Sequence, residues 1–303
     1  MTTDLNGLVP ILATPFDPGG ALDLASLRRL VGFQLRSGVS GVATFGMASE
    51  GFALTAAERR QILVTIVDVV AGAVPVVAGV NGTSTVTAIE QAHDSAEGGA
   101  GVLMVLPPFM VKPSPSQLID FYGDVAAAID VPVMVQDAPG VTGVSMSADL
   151  IQQLSKLDGV TAVKVEAPPT ALKVAAVHRL VTPDFSVFGG QNAQFVLEEY
   201  ARGAVGTMPA CEFPDLLAPV LDDLASGRLA DARVGFTRLL PLVLFGLQPG
   251  IAWAVHKEVL VMRGLIDSAT VRSPAADLDS SGRAALRNIL GDLALDCGVN
   301  PVI

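Results

Sequence analysis

The chain contains five lysines, and only Lys164 lies within an apolar, β-rich run, Val160–Val165. Burial disfavours the charged ammonium and so lowers the pKa of a lysine, which supplies a free amine at neutral pH. A free amine can attack a ketone and form an imine, which acts as an electron sink for the neighbouring carbon. Lys164 is therefore a candidate covalent nucleophile, although a lysine at a strand end could also reach solvent or pair with Glu166.

Several ionisable residues near predicted strand ends could move protons for such a lysine. Glu166 lies two residues beyond Lys164, so strand alternation points both side chains to the same face, where Glu166 could act in catalysis or only neutralise the lysine. Asp137 follows Gln136 and could take part in the chemistry or make an Asx turn. The remaining candidates are Glu50, Glu212 and His256, of which His256 is expected to be structural or interfacial because it lies in a C-terminal helix.

Turns after the predicted strands could hold a substrate through backbone groups and small side chains. Ser49 and the backbone amides near Ala48 and Ser49 could bind a carboxylate without an arginine. A serine in such a turn could equally be an ordinary turn residue or helix N-cap. Gly190 and Gly206 would leave room for close backbone contacts with a substrate.

Eight apolar segments alternate with amphipathic stretches and predict the strands that position these residues. They are Leu8–Ala13, Gly41–Phe45, Pro75–Ala78, Gly101–Leu106, Val131–Gln136, Val160–Val165, Phe185–Phe188 and Ala204–Met208. Asp23 before one stretch and the capping-box pair of Thr55 and Glu58 before the next mark helix starts. Eight βαβ units of this length favour an α/β fold of the (β/α)8 barrel type with additional C-terminal helices.

Composition narrows the classes of function. Half of the residues are hydrophobic and the mean hydropathy is +0.53, but the longest apolar stretch, Leu239–Val255, is broken by prolines and glycines. A parallel sheet buried on both faces therefore explains the hydropathy better than a membrane span. A net charge of −11 argues against binding nucleic acid. Cys211 and Cys297 match no metal or disulfide spacing, so we expect no metal.

The domain organisation and location are also predicted from the sequence. We expect residues 1–225 to form the barrel and residues 226–303 to form a helical extension, with helices around Leu229–Leu247, Ile251–Arg263 and Ser281–Leu293. An appendage with an apolar face packs on the barrel or on another subunit, so we expect a homo-oligomer, a dimer or a tetramer. The N-terminal residues 1–8 show no targeting signal, which predicts a cytoplasmic protein.

Motifs along nearly the whole chain resemble the dihydrodipicolinate synthase/N-acetylneuraminate lyase family of class I aldolases. They follow in family order: Thr14-Pro15-Phe16, Gly46–Glu50 with Leu54-Thr55, Gly79–Gly82, Pro108–Pro113, Asp137–Gly140 with Thr142-Gly143, the Lys164 strand, and Gly203–Thr207. The resemblance implies a barrel with extra C-terminal helices, often tetrameric. It also implies a lysine imine with pyruvate or a substituted 2-oxo acid, formed here on Lys164 without a separate cofactor.

The chain departs from the family at the residues that relay protons in the synthase. Gln136 stands where the family has a fifth-strand tyrosine, Met110 where it has a partner tyrosine, and Met47 where it has a threonine. Neither methionine nor glutamine exchanges a proton near neutral pH. The arginine that grips the aldehyde substrate in the synthase falls at Val141. These departures disfavour a dihydrodipicolinate synthase.

Three segments resemble family members that dehydrate 2-keto-3-deoxy sugar acids: Gln136–Pro139, Lys164–Thr170 and Thr207–Glu212. The resulting hypothesis is a hydro-lyase or retro-aldolase for a 2-oxo-3-deoxy acid, with Lys164 covalent and Glu166 or Asp137 moving protons. Two alternatives stay open. One is a synthase with an altered proton relay, and the other is a binding protein that kept the pocket but lost the chemistry.

Overall fold

The computed structural model describes residues 5–295 and shows eight parallel strands. Their bounds are β1 Gly7–Leu8, β2 Val42–Thr44, β3 Val76–Val80, β4 Val102–Val105, β5 Val133–Asp137, β6 Val160–Val165, β7 Ser186–Gly189 and β8 Gly206–Thr207. From β2 to β8 each strand pairs with the next in chain order, and β1 pairs with β8. Hydrogen bonds between the β1 segment and β2, such as Leu12 N–H to the Ala43 carbonyl at 2.8 Å, close the ring. The predicted barrel and its eight strands are confirmed.

The first strand is shorter than predicted. The expected strand was Leu8–Ala13, but only Gly7–Leu8 forms a regular ladder, and pairing resumes as isolated bridges from Ile11 to Ala43 and to Ala210. Pro10 lies between the two stretches and has no N–H to donate, so the regular ladder is interrupted there.

Helices follow the strands around the outside of the barrel, and the predicted caps are confirmed at α1 and α2. The helices are α1 Leu24–Arg36, α2 Ala56–Val70, α3 Thr85–Glu97, α4 Pro115–Ala127, α5 Pro139–Thr142, α6 Ala148–Leu154, α7 Thr170–His178, α8 Val196–Tyr200, α9 Pro214–Ala225, α10 Leu229–Phe245, α11 Ala252–Met262 and α12 Ser280–Asp292. Asp23 caps α1, and Thr55 and Glu58 form a complete capping box at α2.

Strand alternation divides the core into two layers. Alternate strand residues such as Val77, Met104, Met134 and Ala162 fill the barrel interior. Their neighbours, such as Val133, Val135 and Val163, pack outward against the helices. Because Gln136 and Lys164 continue the inward series of Met134 and Ala162, their side chains point into the barrel at the carboxyl ends of the strands.

The three C-terminal helices cover one side of the barrel and reach its carboxyl end. α10 packs on α9, α12 packs on α10 and α11, and α11 contacts the turn Met47–Ser49 after β2. The extra helices predicted from the sequence are thus present, while the division of the chain at residue 225 stays a prediction. Within residues 5–295, no helix combines the length and the apolar character that crossing a membrane requires.

Candidate active site

Lys164 and Glu166 form an ion pair at the carboxyl end of β6. Lys164 is only 4% exposed, and its Nζ lies 3.2 Å from Oε1 of Glu166. Removing a charged lysine from water is costly unless a partner compensates, and Glu166 is that partner. The arrangement places an amine and a carboxylate within proton-transfer distance of each other.

Glu166 is held in place by three neighbours. Gln136 donates a hydrogen bond from Nε2 to Oε2 of Glu166 at 2.7 Å, and Gln191 donates to the Glu166 backbone carbonyl at 2.8 Å. A Cβ atom on Gly190 would lie 2.4 Å from Cγ of Glu166, so only glycine leaves the space that this side chain fills. Gly190 therefore leaves space for the Glu166 side chain, and it is not among the residues that line the cavity beside the Lys164–Glu166 pair.

A cavity of about 170 Å³ opens beside the Lys164–Glu166 pair. This is smaller than the ~300–1,000 Å³ of sites for drug-sized ligands and suits a small organic acid. Strand and loop residues provide one part of the lining: Ile11, Met47, Ala48, Met208 and Ala210. The C-terminal helices and the segment before α11 provide another: Gly246, Leu247, Ala252, Trp253 and His256.

The two residues that we expected to bind a carboxylate in the turn after β2 are placed differently relative to the cavity. Ala48 lines the cavity, as expected, but Ser49 is fully buried and is not part of the lining. The Ser49 N–H already donates to the Gly46 carbonyl at 3.1 Å, and the Ser49 carbonyl accepts from Thr14 Oγ1 at 2.6 Å. The Ser49 amide is thus occupied by the turn, while its hydroxyl has no hydrogen-bond partner among the described residues.

A buried ionic cluster anchors this turn to the C-terminal helices. Lys257 of α11 pairs with Glu50, and the two side chains are 1% and 0% exposed. Lys257 also donates to the Thr270 carbonyl at 2.7 Å, and the Arg272 N–H donates to Oε2 of Glu50 at 2.9 Å. Burial lowers the pKa of Lys257 to about 8, against the opposing effect of Glu50. Glu50 is thus a structural partner of Lys257 and not a free base.

A second buried pair lies on the cavity wall. His256 Nδ1 is 2.7 Å from Oε1 of Glu212, and both side chains are buried. His256 lines the same cavity as Lys164 and Glu166, and these three are the ionisable residues of its lining within the described part of the chain. The expectation of a merely structural His256 is therefore incomplete.

Asp137 faces away from the cavity, so its expected role in proton transfer is not supported. It alternates with Gln136 along β5 and points outward, where its carboxylate pairs with Lys173 of α7 at 3.3 Å. Burial, partly offset by Lys173, raises the pKa of Asp137. The alternation that brings Gln136 inward necessarily turns Asp137 outward.

Gly206 also has a different role from the expected one. A Cβ at this position would lie 2.2 Å from Cε1 of Phe188, so the missing side chain makes room for the phenylalanine ring and not for a substrate. Met110 and Val141, which stand at the family's partner-tyrosine and arginine positions, are 76% and 54% exposed in the single chain.

Sequence reasoning listed His256 but gave no role to Trp253 of α11 or to Asn192 after β7, both of which line the cavity. Trp253 donates from Nε1 to the Met47 carbonyl at 2.6 Å, and Asn192 bonds to the Ala210 N–H and the Val243 carbonyl. The one available signal was the tryptophan and the histidine three residues apart in α11, a spacing that places both on one helix face.

Known proteins resemble this chain over most of its length. The Dihydrodipicolinate synthetase family matches residues 4–293. An L-2-keto-3-deoxyarabonate dehydratase from Azospirillum brasilense is 33% identical over 92% of this chain and 92% of its own length. A 4-hydroxy-tetrahydrodipicolinate synthase from Pseudomonas aeruginosa is 30% identical over 88% of this chain and 93% of its own.

Solved structures extend the comparison to the whole fold. A putative dihydrodipicolinate synthetase from Pseudomonas aeruginosa has a TM-score of 0.91 at 30% identity and covers 96% of this chain and 100% of its own. Dihydrodipicolinate synthase from Rhodopseudomonas palustris has a TM-score of 0.90 at 28% identity, with 96% and 99% covered. The chain belongs to the dihydrodipicolinate synthetase family and is a class I, Schiff-base-forming lyase that acts on a 2-oxo acid.

Proposed function

We propose that this lyase dehydrates a 2-keto-3-deoxy sugar acid, with Lys164 as the covalent nucleophile and Glu166 as the group that moves protons. The observation that carries the proposal is the carboxylate of Glu166, which lies 3.2 Å from Nζ of Lys164. Gln136, at the position of the family's relay tyrosine, binds that carboxylate. The cavity thus contains a carboxylate base in place of a tyrosine relay.

The chemistry follows from the properties of an imine. Nζ of Lys164 attacks carbon 2 of the substrate, the carbonyl oxygen leaves as water, and the resulting iminium makes the proton on carbon 3 acidic. Glu166 takes that proton, and the electron pair forms an enamine. The enamine expels the hydroxyl of carbon 4, which leaves as water with the proton that Glu166 returns. Hydrolysis of the conjugated iminium then frees Lys164 and the dehydrated 2-oxo acid, so no cofactor is required.

A relative's activity supports dehydration over condensation. The Azospirillum brasilense protein, 33% identical, is named as a dehydratase of a 2-keto-3-deoxy acid. Several synthases are similar at 27–30% identity, so condensation of pyruvate with aspartate semialdehyde is the second candidate. Val141 at the position of the aldehyde-binding arginine argues against it, since valine offers no donor to a carboxylate.

The first experiment is reduction of the imine with borohydride. We expect a mass adduct on Lys164 with pyruvate and with 2-keto-3-deoxy acids, together with loss of water from the latter. Lys164→Ala should abolish both, while Lys156→Ala, at an exposed lysine before β6, should change neither. Full turnover in the Lys164→Ala variant, or condensation of pyruvate with aspartate semialdehyde as the faster reaction, would refute the proposal.

We also infer that the chain assembles as a homo-oligomer, a dimer or a tetramer. Met110 and Val111 are 76% and 80% exposed and lie side by side in the loop between β4 and α4. Adjacent exposed apolar residues of this kind indicate an interaction surface. Light scattering on the purified protein should give a mass of two or four chains, and Val111→Glu should lower it.

A further inference from the structure

We infer that the His256–Glu212 pair is a recognition site for a hydroxyl group on the substrate chain beyond the imine carbon. The inference rests on the proposed function and extends it to the class of substrate, a polyhydroxylated 2-oxo acid. In this role His256 determines specificity and leaves imine formation to Lys164.

The first observation is the orientation of the imidazole ring. Glu212 is fully buried, and its carboxylate Oε1 lies 2.7 Å from Nδ1 of His256. An ionised carboxylate only accepts, so the hydrogen bond to Glu212 places a proton on Nδ1, and in that tautomer Nε2 is an acceptor with a lone pair. The structure gives this Nε2 no hydrogen bond to any residue between 5 and 295. The Nε2 atom is therefore available to accept a hydrogen bond from a ligand.

The second observation is that each of the other polar side chains of the cavity already has a partner within the protein. Lys164 and Glu166 bind each other. Trp253 donates to the Met47 carbonyl. Gln191 donates to the backbone of Glu166, and the Asn192 amide bonds to backbone groups at both ends. Among the described lining residues, Nε2 of His256 is thus the side-chain nitrogen that has no partner within the protein, and it is free to contact the distal part of a substrate.

The third observation is the space that the backbone leaves for this ring. A Cβ on Gly246 would lie 2.8 Å from Cε1 of His256 and 3.2 Å from Nδ2 of Asn192. The bend after α10 thus accommodates His256 only because residue 246 has no side chain. This glycine and the buried Glu212 together fix the ring against the cavity.

The chemistry of the pair selects among possible ligands. A lone pair on Nε2 requires a donor, which a sugar-acid hydroxyl supplies and an aldehyde or an ionised carboxylate does not. The buried negative charge of Glu212 behind the ring further disfavours an anionic group. The site therefore fits the hydroxylated chain of a 2-keto-3-deoxy acid and does not fit the carboxylate of aspartate semialdehyde.

The test compares two substrates in the same variants. We expect His256→Leu to lower kcat/KM for a hydroxylated 2-keto-3-deoxy acid by ~10-fold or more, the effect of losing a hydrogen bond worth ~1.5 kcal/mol. Borohydride trapping of pyruvate, which has no distal hydroxyl, should stay within about twofold of wild type by the same reasoning. The double variant Glu212→Gln/His256→Leu avoids an unpaired buried carboxylate and should show the same selectivity if the single variant folds poorly.

Two further variants complete the design. Gly246→Ala should reduce the same selectivity by displacing the ring, whereas His93→Leu, at an exposed histidine of α3, should leave it unchanged. Equal changes in the two substrates, or no change in either, would overturn the inference. If wild-type protein forms no adduct with any 2-oxo acid, the proposed function fails instead, so the two failures are distinguishable.

Discussion

Gln136 on β5 donates a hydrogen bond to Oε2 of Glu166 at 2.7 Å, from the strand position at which the family resemblance implies a tyrosine. The substitution converts a proton-exchanging phenol into an amide that fixes a neighbouring carboxylate. Glu166 in turn lies against Nζ of Lys164 on its other oxygen. The three side chains form a chain of contacts, Gln136 to Glu166 to Lys164, which orients the carboxylate that we propose as the base.

The amide of Gln136 should matter for turnover. Gln136→Met preserves the length of the side chain but removes the donor, and a hydrogen bond to a charged group contributes ~1.5–3 kcal/mol, which corresponds to ~10–100-fold in kcat. Gln153→Met, at an exposed glutamine of α6, should have no effect. Steady-state dehydration assays measure both. Wild-type kcat in Gln136→Met would show that Glu166 needs no positioning by this amide.

The space left by Gly190 gives a second prediction. A methyl group in Gly190→Ala would lie 2.4 Å from Cγ of Glu166 and must push the carboxylate away from Lys164. We expect a fall of ~10-fold or more in kcat, because a misplacement of about 1 Å can cost ~100-fold in rate. Gly140→Ala is the matched control, since a Cβ there contacts nothing within 4 Å. A pyruvate adduct should still form in Gly190→Ala, which would separate loss of the base from loss of the fold.

The buried Glu50–Lys257 pair should couple strongly in a double-mutant cycle. Lys257→Met leaves the Glu50 carboxylate buried without its cation, which typically costs ~3–5 kcal/mol in the free energy of unfolding. Glu50→Gln/Lys257→Met removes both charges and should be less destabilised than Lys257→Met alone. Urea unfolding measures each variant. Additive effects of the two substitutions would show that the pair does not act as a unit.

An exposed ion pair provides the comparison for this cycle. Arg28 and Asp68 are 2.6 Å apart, but their side chains are 52% and 61% exposed. Water and ions screen such pairs, so Arg28→Met should cost less than ~1 kcal/mol in the same assay. If Arg28→Met lowered the free energy of unfolding as much as Lys257→Met, the effect would come from removing any charge and not from burial of the pair.

Glu199 of α8 should make the stability of the protein depend on pH. Burial, partly offset by the hydrogen bond from Thr170, raises the pKa of Glu199 from 4.5 to about 7. The folded state therefore binds more protons than the unfolded state in this range, so the free energy of unfolding falls as the pH rises from 4.5 to about 7. At ~1.36 kcal/mol per pKa unit, the loss is on the order of 3 kcal/mol.

The Glu199→Gln variant isolates this contribution. Relative to wild type, it should gain stability between pH 5 and pH 8, because its amide does not titrate over that range. Glu97→Gln, at an exposed position of α3, should follow the wild-type curve. Parallel unfolding curves for wild type and Glu199→Gln across this range would contradict the raised pKa.

The fold was predictable from the sequence because each strand of the closed barrel is a continuous apolar run. Val102–Val105 and residues 133–135 of β5 are apolar and buried on both faces, so hydropathy alone marks them. The interruption of β1 at Pro10 was also readable in principle, since proline cannot donate to a ladder. Lys164 and Glu166 were identifiable because charge inside such a run is rare.

The remaining features of the site depend on contacts that no local pattern encodes. In the sequence, Gly190 and Gly206 are equally plausible as substrate contacts. Only the packing shows that Gly190 makes room for Glu166 and Gly206 for Phe188. His256 reaches the cavity because α11 folds back over the β2 turn, an arrangement set by the buried Glu50–Lys257 pair more than 200 residues apart in the chain. Asp137 was listed as a catalytic candidate because the sequence could end β5 before this residue. In the structure β5 includes Asp137, so alternation with Gln136 turns its side chain outward.

The only tryptophan of the chain, Trp253, lies on the wall of the cavity that contains Lys164. Its indole packs edge-on against Phe52 at 5.2 Å and is anchored to Met47. All tryptophan fluorescence of the protein therefore comes from one indole, which lies at the cavity. The protein carries its own optical reporter, so entry of a ligand can be followed by emission in real time, without labels and before any covalent step.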